Sequence, residues 1–231
     1  MSSSDSNVPF EAPSRRAQRA FSFVEILVVM GIIAVLVTLG LAAFKIVQQK
    51  APQVKTKALL QKMRANIDAW RGTYKATLPS DLQKLAALGV PFKPGKPVPP
   101  NVTNAGIEAV VQCLYLPGFD HNPDIDGDLI NTDKDSLDKA LSRTLAVELF
   151  EVVDGYGNPL IYFTDADYRD AEKSPPTYIC GDDAPHAGEA VYPKPWRNEA
   201  GGAFAQAGGY QLYSMGEDGE PNTEDDIKAW H

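Results

Sequence analysis

The chain has 231 residues, 44% of them hydrophobic, with 22 Lys and Arg against 30 Asp and Glu for a net charge of −8. Two Cys among 231 residues exclude a disulfide-dense scaffold, and the hydrophobic content excludes a collagen-like or wholly disordered chain. The acidic balance argues against a nucleic-acid binder, which needs a basic face.

The average conceals a gradient. Residues 1–20 carry three Arg and two acids, residues 21–100 carry 11 bases and three acids, and residues 101–231 carry eight bases and 25 acids. A basic stem precedes an acidic head. The first 20 residues are polar and end in Arg15, Arg16 and Arg19. From Phe21 to Phe44 the chain then holds a single charge, Glu25. As a helix this run would be about 36 Å long, enough to cross a hydrocarbon core of about 30 Å. A secretory signal has a shorter apolar core and a small-residue cleavage site, which this run lacks. A plain membrane anchor fits the length but gives Glu25 no role, although an acid in lipid costs a few kcal/mol. Lys45, Lys50, Lys55 and Lys57 follow the span, so the positive-inside count does not favour a cytoplasmic N-terminus.

Beyond the span, Leu60, Met63, Ile67, Trp70 and Tyr74 are spaced 3, 4, 3 and 4, the stripe of an amphipathic helix with its face against a core. Pro52 should kink that helix or leave a short break. The basic residues from Lys45 to Lys75 form either a solvated face or a surface that helps neighbouring copies stack. A short helix is expected from Ser80 to Leu88, with Ser80 as N-cap. Residues 91–100 hold five Pro and read as an extended connector. Ile107, Val110, Val111 and Leu114 predict another helix, with Asn104 near its start. Strands are expected at Leu149–Val153 and Leu160–Phe163, on either side of the turn Asp154-Gly-Tyr-Gly-Asn-Pro159, and at Tyr210–Ser214. Long helix, loops and a few antiparallel strands make an α+β domain.

Two acidic loops have the chemistry of a hard cation site, since calcium takes six to eight oxygens from carboxylates, carbonyls and water. In the first, Asp218-Gly219 is followed by Glu224, Asp225 and Asp226. The second runs from Asn122 through Asp124, Asp126, Gly127, Asp128 and Leu129 to Asp133, at the spacing of an EF-hand loop but without flanking helices. A polar insertion loop is the competing reading there. Cys113 and Cys180 form a disulfide, remain free, or join His121 and His186 at zinc; the spacing selects none of these. No serine-hydrolase elbow, phosphate-binding glycine loop or His-Glu-x-x-His motif occurs, so no enzyme is expected.

Arg15–Ala20 followed by Phe21-Ser-Phe-Val-Glu25 resembles the processing site of type IV prepilins and type II secretion pseudopilins. The resemblance implies that a prepilin peptidase cuts between Ala20 and Phe21 and methylates the new amine; the family usually has Gly where this chain has Ala20. Glu25 would then pair with the Phe21 amine of a neighbouring subunit, each charge offsetting the other's desolvation. The turn at Asp154 resembles the Asp-Pro-Trp-Gly-Asn-Pro turn of the major pseudopilin, and Tyr213–Ile227 resembles its calcium loop. By that resemblance Asp218 and Asp225 are side-chain ligands, Asp226 is a further one, and carbonyls near Met215 and Thr223 complete the shell. The implied fold is pilin-like: a long N-terminal helix, half transmembrane and half amphipathic, packed on a small antiparallel sheet. The implied organisation is a cytoplasmic leader at 1–20, a membrane helix at 21–44 and a periplasmic head at 45–231. Insertions without a family counterpart cover about 92–145 and 165–208. The expected function is a structural subunit of a secretion pseudopilus in the bacterial inner membrane. It would assemble with itself and with minor pseudopilins on an inner-membrane secretion platform. Alternatives are a type IV pilin, a minor pseudopilin, or a membrane-anchored binding or enzymatic domain.

Overall fold

One helix takes up both the apolar run and the amphipathic stripe. In the computed structural model, which describes residues 22–87, 98, 101–115, 125–137, 148–198 and 202–230, α1 runs from Phe23 to Tyr74. Ala20, Phe21, His121, Asn122 and Asp124 lie outside the described residues. The chain divides into two compact units, Met1–Val47 and Gln48–His231.

In the first unit the helix starts with a sequence-encoded cap. The Ser22 N–H donates to Glu25 Oε2 at 2.8 Å, as in the reciprocal Ser-x-x-Glu arrangement that satisfies donors at a helix N-terminus. Every described side chain from Phe23 to Leu39 is exposed, including Ile26, Leu27, Met30, Ile33 and Leu36. Among the described residues no helix is long and apolar enough to cross a membrane. The side chains from Gly40 to Ala43, which complete the apolar run in the sequence, lie outside the description.

In the second unit α1 continues through Pro52, so of the expected kink or break the break is absent. The proline leaves the Gln48 carbonyl without its helical donor. The Thr56 hydroxyl donates to the Pro52 carbonyl at 2.9 Å and accepts the Gly155 N–H at 2.9 Å. The Asp154–Pro159 turn thus docks on the helix at Pro52 and Thr56. Of the predicted stripe, Leu60, Met63, Ile67 and Trp70 are buried. Tyr74 is 44% exposed and lies over the Trp70 ring at 4.7 Å instead of entering the core.

Helix α2 (Leu82–Ala87) is capped one residue later than expected. Asp81 Oδ1 accepts the Lys84 N–H at 2.7 Å, while the Ser80 hydroxyl bonds Asp167. Helix α3 (Ala105–Leu114) is buried at all ten positions, so this part of the 92–145 region belongs to the core. Asn104 precedes it in the left-handed conformation, φ 49°, and makes no cap bond.

Strands β1 (Leu129–Ile130) and β2 (Glu151–Val152) pair antiparallel. The central sheet joins β3 (Ile161–Thr164), β6 (Tyr210–Ser214) and β7 (Ile227–Lys228) in the order β3-β6-β7, also antiparallel. Its register places Ile161 opposite Tyr213 and Ser214 opposite Ile227. Helix α4 (Tyr168–Lys173) follows β3, and β4 (Tyr178–Ile179) pairs with β5 (Ala190–Val191). The predicted strands on either side of the 154–159 turn meet through a Val153–Pro159 bridge, but then diverge, β2 to β1 and β3 to β6. The architecture is α+β, an N-terminal helix with small antiparallel sheets, as expected. Its core brings the α1 stripe against α3 residues Ile107, Val110 and Leu114 and sheet residues Ile161, Leu212 and Tyr213.

Candidate functional site

At the N-terminus, the local helix signal and the candidate assembly residue coincide. The Glu25 carboxylate already has a donor in its own chain, the Ser22 amide. It also stands in the first turn, where the helix dipole favours an acid. Sequence spacing showed the acid but not this bond, although Ser-x-x-Glu was its signal.

In the C-terminal loop, the carboxylates of Asp218, Asp225 and Asp226 converge on the Thr223 hydroxyl. Thr223 Oγ1 lies 2.6 Å from Asp225 Oδ1 and 3.5 Å from both Asp218 Oδ1 and Asp226 Oδ1. The hydroxyl has one proton and can donate to one of the three. Backbone groups shape the rest: Asp225 Oδ2 accepts the Glu217 and Asp218 N–H groups at 2.6 and 3.1 Å, and Asp226 Oδ2 accepts the Asn222 N–H at 2.9 Å. Gly216, with φ 69°, leaves room for the Asp225 carboxylate, which a Cβ there would meet at 2.4 Å. Burial would raise Asp225, but Thr223 and the two amides hold it below the usual carboxylate range. Asp226 is pushed up to about 7 by burial. Met215 is buried beside the loop.

The donors in this loop are all oxygen, and among the described residues none of the three aspartates is paired with a base. Such a set fits a hard cation and not a soft one. The loop lines an open cleft of about 1050 Å³ that α1 also lines, with Lys50, Lys57 and Arg64. The basic stem and the acidic loop therefore border one space.

The second acidic loop behaves differently. Its three described carboxylates have separate attachments: Asp126 accepts the Tyr115 hydroxyl at 2.6 Å, Asp128 pairs with Lys55 at 2.7 Å, and Asp133 lies with Glu108 and Glu151. The two cysteines are free and buried in the core. Burial raises both thiols, Cys180 to about 11. His186 lies 3.2 Å from Glu189, and among the described residues no group of three metal-binding side chains includes a histidine or a cysteine.

Residues 15–41 match the model of the prokaryotic N-terminal methylation motif. Neither a curated protein nor a solved structure is matched by the chain. The match makes the N-terminus similar to those of prepilins. Such a motif implies a membrane-anchored segment, processing by a prepilin peptidase and assembly into a pilus or pseudopilus.

Proposed function

We propose that the chain is a structural, non-enzymatic subunit of a type II secretion pseudopilus. In this reading, residues 1–20 are a cytoplasmic leader, residues 21–44 anchor the chain in the bacterial inner membrane, and residues 45–231 form a periplasmic head. The observation that carries it is the methylation-motif match over residues 15–41, joined to a helix whose described side chains from Phe23 to Leu39 are exposed and apolar apart from Glu25, Gly31, Ala34 and Thr38. Such a surface is stable only when lipid or other copies of itself cover it. The subunit assembles with itself and with minor pseudopilins on an inner-membrane platform. Calcium bound by Asp218, Asp225 and Asp226, with backbone oxygens near Met215 and Thr223, holds the C-terminal loop in one shape.

Mass spectrometry of the mature chain tests the reading, with a methylated Phe21 at the N-terminus as the expected result and an intact Met1 as the refuting one. Glu25→Gln separates the two roles of that carboxylate. A glutamine still accepts the Ser22 N–H but carries no charge, so processing should persist while filament formation is lost. Normal filaments from this variant would leave capping as the only role of Glu25.

A further inference from the structure

We infer that the head contains a second, buried divalent-cation site of the calcium type, built by Glu108, Asp133 and Glu151. One carboxylate oxygen from each of the three lies within 4.8 Å of the others. A cation about 2.4 Å from its ligands holds pairs of oxygens at most about 4.8 Å apart, so the spacing of the three lies within the range of one calcium shell. Glu108 stands in the first turn of α3, Glu151 begins β2, and Asp133 lies in the loop after β1. Glu108 and Glu151 are far from Asp133 in sequence and belong to no acidic run, whereas Asp133 closes the second acidic loop.

The second observation is an unsatisfied oxygen. Glu108 and Glu151 are both fully buried, at 0% exposure. Glu151 is held on both oxygens: Asn104 Nδ2 donates to Oε1 at 3.0 Å and the Thr132 N–H to Oε2 at 2.8 Å. The Glu108 side chain has Asn101 on Oε2, but its Oε1 is buried with no partner. A buried carboxylate oxygen without a donor is costly, and here it belongs to a side chain turned into two other carboxylates. Among the described residues no Lys, Arg or His pairs with any member of the cluster. Lys134, next to Asp133 in sequence, is exposed and pairs with neither flanking aspartate.

Two fully buried carboxylates with a third beside them require a counter-charge. Protons are one source: burial raises all three carboxyls from their ordinary values, and repulsion from neighbouring carboxylates adds to it at Glu108 and Glu151. A hard cation is the other source, and it also satisfies the unpaired Oε1. The half-exposed Asp133 and its neighbour Asp135, whose own Oδ1 is buried and unpartnered, leave an entry on the solvent side. The supporting structure is polar and specific. Asn104 links the cluster to the head by donating also to Thr132 Oγ1 at 2.8 Å and accepting the Ile179 N–H at 2.9 Å. Its left-handed backbone aims the side chain inward instead of capping α3.

The site does not depend on the filament reading and is separable from the C-terminal loop. The test uses the full chain in detergent, stripped with a chelator, in an Asp218→Ala/Asp225→Ala background that disables the loop. Calcium titrated at pH 7.5 should bind at one ion per chain by calorimetry and raise the melting temperature. Magnesium at the same concentration should do so at least tenfold more weakly. Adding Asp133→Asn, at a half-exposed position, should lower calcium affinity at least tenfold without loss of folding by circular dichroism. Glu108→Gln, which keeps the shape and removes the charge, should abolish the calcium response while melting at or above the stripped parent. No binding and no shift in the loop-disabled background would overturn the site and show that a shared proton neutralises the cluster. A calcium shift that survives both added substitutions would overturn it equally.

Discussion

The contact between Gly155 and Pro52 gives the most exposed prediction about how the head holds the stem. A Cβ at residue 155 would stand 2.3 Å from the Pro52 carbonyl oxygen and 2.8 Å from its carbonyl carbon and Cα. All three are backbone atoms, so no side-chain rotation relieves the overlap. Ordinary contacts need about 3.5 Å, and the turn must therefore retreat by about 1 Å. That retreat breaks the Gly155 N–H bond to Thr56, now 2.9 Å long. Overpacking costs about 1–3 kcal/mol and an orphaned N–H about 1–3 more. Gly155→Ala should thus destabilise by roughly 2–6 kcal/mol, a fall of about 5–20 °C for a domain of this size. The measurement is a thermal melt of the full chain in detergent, followed by near-ultraviolet circular dichroism. Gly72→Ala supplies the contrast: that glycine is exposed in α1 with nothing within 4 Å of a Cβ, so alanine should stabilise by up to about 1 kcal/mol. A Gly155→Ala chain melting within about 2 °C of its parent would refute the docking argument.

Asp167 predicts an acid sensitivity. Burial alone would raise it, but hydrogen bonds from Lys84, Ser80 and Thr164 and the Lys84 charge hold it below the usual range. A depressed acid stabilises above its unfolded pKa of about 4 and loses that contribution as pH falls through the lower folded value. Asp167→Asn should therefore cost roughly 1–3 kcal/mol at pH 7 and progressively less below pH 4, read by urea melts at each pH. The cysteines predict slow chemistry: a maleimide should label neither Cys113 nor Cys180 in the native chain and both in denaturant, with no mobility change on reduction. Labelling of neither thiol in unreduced denaturant would contradict free buried thiols. For the C-terminal loop, Asp218→Ala should reduce the calcium stoichiometry by one ion per chain; an unchanged stoichiometry would remove that site.

What the sequence made legible followed locality. The α1 stripe and α3 are encoded by periodic apolar residues within one element, and periodicity found both of them. The Asp218–Asp226 carboxylates are neighbours in the chain, so a cluster was visible before the loop's fold. Strands β1, β4, β5 and β7 have two residues each, too few for any alternation to appear. Asp133 was visible as the end of the second acidic loop, but Glu108 and Glu151 looked ordinary in their own segments, and only the tertiary packing of α3, β1 and β2 joins the three. A local signal did exist. Glu108 lies beside the apolar positions Ile107 and Val111 of the predicted helix, and Glu151 sits inside a run read as a strand. A buried acid with no sequence neighbour to neutralise it implies a partner brought from elsewhere.

The same reasoning separates the two halves of α1. From Leu60 to Trp70 apolar residues recur on one face, and the head covers that face. From Phe23 to Leu39 they occur all round, and nothing in the described part of the first unit covers them. A helix apolar on every side requires an environment apolar on every side. Within it an acid is tolerated only where something offsets its charge. The first turn is such a place, because free N–H groups and the helix dipole both favour a carboxylate there. Glu25 therefore occupies the one stretch of this helix where an acid can wait in a single chain, bonded to Ser22, and still meet a positive amine from another. Moving the acid one turn inward, as in Glu25→Val with Val29→Glu, should remove that tolerance. The expected outcome is weaker membrane retention of the unassembled precursor, measured by carbonate extraction. Retention equal to that of the parent would show that position along the helix does not govern how this charge is borne.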